Sequence, residues 1–204
     1  MLIIFGGLPG SGKTTIAGAL ARRLKAVYVR VDTIEQAIRT SGDHARDVGP
    51  AGYVAAYGVA EDNLALGRSV IADSVNPLKI TRDAWLAVSE RSQVSAVEVE
   101  VICSDKTEHR RRVETGESDV QGLVKPTWQQ IVDRVYDDWD RRPIVVDTAA
   151  MNVQEIVDAL VRQDRGRSPA ARIMFSSVRG TACKVPLPCS WEQARHTDAC
   201  EMPK

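Results

Sequence analysis

The stretch from Gly7 to Thr14, Gly-Leu-Pro-Gly-Ser-Gly-Lys-Thr, satisfies G-x-x-x-x-G-K-[ST] without a gap, directly behind the apolar run Leu2 to Phe5. Glycines at this spacing let the backbone take up angles that a side chain forbids and keep Cβ atoms away from an anion, so successive amides can converge on phosphate oxygens. A helix opening near Lys13 adds unpaired N–H groups and the positive end of its dipole. Lys13 then brings a point charge to the β and γ phosphates, and the Thr14 hydroxyl can ligate Mg²⁺. Gly7, Pro9, Gly10, Ser11, Gly12, Lys13, Thr14 and Thr15 are therefore read as the binding site for the phosphate tail of a nucleoside triphosphate, ATP with Mg²⁺. The dinucleotide fingerprint G-x-G-x-x-G fails, because Thr15 stands where its third glycine would be.

Three acids decide what such a grip is for. Asp32 follows AVYVRV, Asp73 follows VIA and Asp147 follows IVV, and in a parallel α/β sheet the carboxyl ends of strands face the ligand crevice. Asp32 is read as the base or anchor for a substrate hydroxyl, with capping of the following helix as its alternative. Asp73 is read as a metal-holding acid alongside Thr14, or as a substrate contact with Asn76 beside it. Asp147 is read as structural. Positive charge over a developing phosphoryl anion is sought in His109-Arg110-Arg111-Arg112. Neighbours on a helix point about 100° apart, so only one or two can act; Arg111 and Arg112 are favoured, against a solvated basic face. His109 is read as a surface residue. Tyr53 and Tyr57, one turn apart, either line a substrate pocket or pack inside, and Tyr53 is taken forward as a substrate contact. The polar loop Ser41 to Asp47 is the place for variable substrate contacts.

These residues need a frame. Leu2–Phe5, Ala26–Val31, Ser69–Ala72, Val97–Cys103 and Ile144–Val146 are short runs rich in β-branched residues and read as strands. Between them, Thr14–Lys25, Thr33–Thr40, Gly52–Leu66, Thr81–Arg91, Lys106–Thr115, Trp128–Trp139 and Val153–Gln163 read at helical spacing. Thr127 with Gln130 and Asn152 with Glu155 form start signals, and Gly67 a stop. In the Trp128 helix the residues Trp128, Ile131, Val132, Val135 and Trp139 are read as one packed stripe. The alternation predicts an α/β fold with a parallel sheet covered by helices on both faces. Residues 1–163 are expected to form this domain, with a basic lid around 106–126; residues 164–204 are expected to be an irregular extension.

Lys plus Arg and Asp plus Glu both number 27, so no general positive field exists to hold a nucleic acid. No apolar run approaches the ~20 residues of a membrane span, and a cytoplasmic location is expected. The four cysteines match no zinc spacing. A guanine-reading Asn-Lys-x-Asp segment does not occur, which disfavours a GTP switch.

On FGGLPGSGKTT, VDTIEQAIR, DVGPAGYVAAYGVAEDNLALGRSVIADSVNP, EVICSDKTEHRRRVE and KPTWQQIVDRVYDDWD, the chain resembles P-loop kinase-like proteins of the AAA type, similar to zeta-toxins and chloramphenicol phosphotransferases. The resemblance covers residues 1–163. It implies a three-layer P-loop NTPase fold with a five-stranded parallel sheet in the order 2-3-1-4-5, an ATP-dependent phosphotransferase activity, and an acid at Asp32 serving as substrate base. The resulting expectation is ATP- and Mg²⁺-dependent transfer of the γ-phosphoryl group to a hydroxyl of a small molecule. The alternatives are a nucleic-acid 5′-hydroxyl kinase, using Arg165, Arg167, Arg172 and Arg179, and a nucleotide-binding module with no small-molecule acceptor.

Overall fold

The first strand explains the layout. In β1 (Leu2–Gly6) every residue is buried, and its side chains alternate between two separate cores. Ile3 and Phe5 pack with Ile16, Leu20, Val101 and Ile156, while Leu2 and Ile4 pack with Ala56, Leu64, Trp85 and Val88. An unbroken apolar run is what a central strand needs when both faces are covered.

The computed structural model describes residues 1–41 and 48–166, all within one compact unit, Met1–Arg172. After β1 come α1 (Lys13–Leu24), β2 (Val27–Arg30), α2 (Val31–Thr40), α3 (Ala51–Ala65), β3 (Val70–Asp73) and α4 (Lys79–Arg91). They are followed by β4 (Ala96–Ile102), α5 (Lys106–Thr115), α6 (Trp128–Val132), β5 (Ile144–Asp147) and α7 (Val153–Gly166). The five strands form one parallel sheet in the order β2-β3-β1-β4-β5, with α1 and α7 on one face and α3 and α4 on the other. This is the expected three-layer arrangement and strand order. Both start signals are present as reciprocal bonds, Thr127 with Gln130 and Asn152 with Glu155, and Gly67 takes φ +75°.

Four boundaries differ in ways that matter. Val31 leaves the strand and opens α2, so Asp32 sits inside the first turn of the helix and Arg30 occupies the cap position. Helix α6 stops at Val132, and the stripe drawn from Trp128 to Trp139 does not form: Ile131 is buried, but Val132 and Val135 are exposed. The reason is a long-range competitor. Arg82, wholly buried on α4, donates to the carbonyls of Pro77, Asp137 and Asp138, and its guanidinium lies 5.6 Å from the ring centre of Tyr136 and 4.5 Å from that of Trp139. Asp137 in turn accepts from the Lys79 amide, which lets α4 begin two residues earlier than Thr81. Finally, α7 runs on to Gly166. Gly42–Asp47 of the polar loop, and the extension from residue 167 with Arg167, Arg172 and Arg179, lie outside the described residues.

Candidate active site

The phosphate loop leaves β1 through Gly7, whose N–H donates to Val75 O at 3.0 Å beyond the end of β3. Gly7, Gly10 and Gly12 have φ of +138°, +82° and +92°. A Cβ on Gly7 would overlap the Val101 carbonyl oxygen, and one on Gly10 would stand 2.5 Å from Val113 Cγ2. The loop is thus glycine by necessity, from backbone angle and from contact. No side chain caps α1 at Gly12, so the first-turn amides keep their capacity for an external acceptor.

Two side chains fasten the loop from behind. His109 Nε2 lies 2.8 Å from Pro9 O, and its ring meets Trp128 edge-on at 5.2 Å; it is buried, contrary to its reading as a surface residue. Thr148, the first residue beyond β5, donates to Ser11 O at 2.8 Å and accepts from Arg112 Nη1 at 2.7 Å. Arg112 also donates to Glu108 and lines the cleft. Arg111 does not join it. Its side chain is 62% exposed and shares Glu108 with Arg112 without lining the cleft, because successive helix residues point apart.

Lys13 and Asp73 form a buried ion pair of 2.9 Å. Tyr28 of β2 donates to the second Asp73 oxygen at 2.6 Å. Burial opposes ionisation of Asp73, but the Lys13 charge and hydrogen bonds from Tyr28, Lys13 and, last, Thr14 outweigh it and hold the carboxyl below its ordinary range. Burial, then the Asp73 charge, push the Tyr28 phenol well up.

The loop forms one side of a cleft of about 1080 Å³. The cleft is also lined by Asp32, Glu35 and Arg39 on α2, by Tyr53 on α3, and by the segment from Gly116 to Pro126. Glu35 is raised above the usual carboxylate range by burial first, with Arg39 opposing and Asp32 reinforcing. Gly52 lets α3 approach, since a Cβ there would overlap Glu35. Tyr53 lines the cleft and its hydroxyl accepts from the Asn76 amide at 3.3 Å; burial pushes this phenol up to about 12. Tyr57 packs inside, edge-on to Trp85 at 4.6 Å. Asn76, expected as a substrate contact, is not among the residues that line the cleft. It is wholly buried at φ +48° and donates from Nδ2 to Phe5 O, so it braces the exits of β1 and β3. Asp147 accepts from the amides of Ser104 and Ala149, the structural role expected of it.

The loop geometry fits a polyphosphate: glycines at positive φ, an uncapped helix start and a lysine. Thr14 and Asp73 are the oxygen donors that would hold Mg²⁺. Among the described residues no group of three or more His, Cys, Asp or Glu side chains could hold a metal ion. No described helix is long and apolar enough to cross a membrane.

Sequence reading missed Arg30, Glu35, Arg39 and Tyr28. Arg30 carried the same signal as Asp32, a polar residue at the carboxyl end of a predicted strand, and Glu35 lies one helical turn beyond Asp32. Tyr28 gave no signal, because only the sheet brings it to Asp73.

A family model described as an AAA domain matches residues 2–137. No curated protein matches the chain significantly. Among solved structures, Kti12 of Chaetomium thermophilum, in complex with ADP-AlF3, is similar at 20% identity and a TM-score of 0.60, over 79% of this chain and 98% of that one. The APS kinase CysC of Mycobacterium tuberculosis, in complex with AMPPNP and APS, is 15% identical with a TM-score of 0.58, over 80% and 96%. A gluconokinase of Sinorhizobium meliloti is 20% identical with a TM-score of 0.56, over 86% and 97%. These likenesses share the fold.

Proposed function

The chain belongs to the AAA-domain family, and from that premise we propose that it is a kinase moving the γ-phosphoryl group of ATP to a hydroxyl of a small molecule. The observation that carries this reading is that one cleft is lined both by the phosphate loop and by the Asp32 carboxylate. A pure nucleotide switch has no need of a second, charged wall. That similar structures include kinases of APS and of gluconate, one in complex with AMPPNP, supports the reading.

Within it, the loop amides and the start of α1 bind the phosphates, and Lys13 turns from Asp73 to the β and γ oxygens. Thr14 and Asp73 would hold Mg²⁺, which would neutralise charge on the phosphate oxygens. Asp32 accepts the proton of the acceptor hydroxyl as that oxygen attacks. Arg112, braced by Thr148 and Glu108, adds positive charge beside the loop. Closure of the cleft keeps water from taking the place of the acceptor.

The test is a mass-spectrometric screen of hydroxyl compounds with ATP and Mg²⁺, reading an added phosphate, followed by two variants. Lys13→Ala is expected to abolish nucleotide binding in calorimetry. Asp32→Asn is expected to bind ATP within about twofold of the parent and to lose on the order of 100-fold in transfer rate. Equal transfer by Asp32→Asn and the parent removes Asp32 from the base role.

A further inference from the structure

The wall of the cleft around the start of α2 contains a cation whose partner is poorly matched to it. Arg30 ends β2, its side chain is 12% exposed, and its Nη1 donates to both carboxylate oxygens of Asp119 at 2.8 Å. Asp119 belongs to the segment after α5 and is 70% exposed. The guanidinium Nε is buried and has no hydrogen-bond partner. The cation is therefore built into the sheet edge, while the anion is lent by a surface loop.

An ion pair with so exposed a carboxylate adds little net stability and yields to a competing anion. A guanidinium fork accepts carboxylate and phosphate with the same geometry. Two more arginines stand on this wall: Arg39, which makes a single 3.3 Å bond to Glu35, and Arg134, which acts on Glu35 through space. Only Val31 separates Arg30 from Asp32, and both line the cleft. A compound gripped at Arg30 thus has its neighbouring atoms close to Asp32.

We propose that Arg30 receives an anionic group, carboxylate or phosphate, of the acceptor, and that Asp119 fills this receptor until the acceptor arrives. The word acceptor rests on the kinase reading; the anion site itself stands on Arg30 and Asp119. Arrival of the anion releases Asp119. A neutral hydroxyl compound has nothing with which to displace the carboxylate.

Inorganic phosphate is titrated by calorimetry into the wild type, D119N and the double variant R30Q/D119N, each with saturating AMPPNP and Mg²⁺ so that the phosphate loop is filled. D119N is expected to bind phosphate about tenfold more tightly than the wild type, and R30Q/D119N to lose that gain. Acetate in the same series distinguishes a carboxylate receptor from a phosphate receptor. Equal phosphate affinity in D119N and R30Q/D119N, or no gain in D119N, overturns the proposal. A gain of affinity cannot come from misfolding, and thermal melts check the double variant. AMPPNP binding by the wild type judges the kinase reading separately; without it, the difference between the two variants still isolates Arg30.

Discussion

On the loop side of the cleft the work is done by backbone: three glycines at positive φ, an uncapped helix start, and a lysine–aspartate pair with side chains 6% and 1% exposed. On the α2 side it is done by long charged side chains, Arg30, Asp32, Glu35 and Arg39, with partners drawn from a loop or from the next helical turn. A backbone cradle is specified by steric exclusion and reads any polyphosphate. A wall of side chains is specified by charge and can be re-addressed one substitution at a time. Tolerance to change should therefore differ sharply between the two sides.

Gly7→Ala gives the largest expected effect. The new Cβ meets the Val101 carbonyl at a φ that L side chains rarely adopt, so a loss of about 2–4 kcal/mol in stability and loss of nucleotide binding are expected, read by thermal melts and calorimetry. A neutral outcome would break the contrast.

Asp73→Asn comes next, leaving Lys13 buried without its counter-charge at a cost of about 3 kcal/mol near neutral pH. Its acid dependence sharpens the comparison. The Asp73 carboxyl is below its ordinary value in the fold, so the contribution is complete above about pH 5, where the unfolded carboxyl is also ionised. It is lost as pH falls through the lower, folded value. Urea midpoints of wild type and variant should therefore converge on acidification. Glu35, raised by burial, works in the opposite direction: protonating it favours the fold.

The smallest effect separates two adjacent arginines. Arg112→Ala removes the brace on Thr148 and is expected to cost about 1 kcal/mol and to weaken nucleotide binding. Arg111→Ala, on the solvent face, is expected to leave the melting temperature and nucleotide affinity unchanged.

The phosphate loop was legible in sequence because its requirements are local: glycine angles, a strand before and a helix after. The strand order came from resemblance, and the strands themselves from unbroken apolar runs such as Leu2–Phe5. What was not legible depends on partners far along the chain. The residues after Val132 keep a helical spacing of apolar side chains, yet Arg82, some 55 positions earlier, takes the carbonyls of Asp137 and Asp138 and the ring of Trp139. His109 sits among arginines and looks exposed, but the face of α5 that carries it is pressed on Pro9. Asn76 has the composition of a ligand contact, yet its amide nitrogen is taken by the Phe5 carbonyl at the exit of β1. In each case a buried polar group found a main-chain partner that no short window contains.

The contact of α5 with the phosphate loop has a mechanical corollary. With His109 on Pro9 and Val113 against Gly10, that helix is clamped to the nucleotide cradle and cannot swing independently of it. Whatever displaces α5 therefore displaces the cradle as well, and Lys125, donating to Val113 O, ties the segment that follows to the same unit.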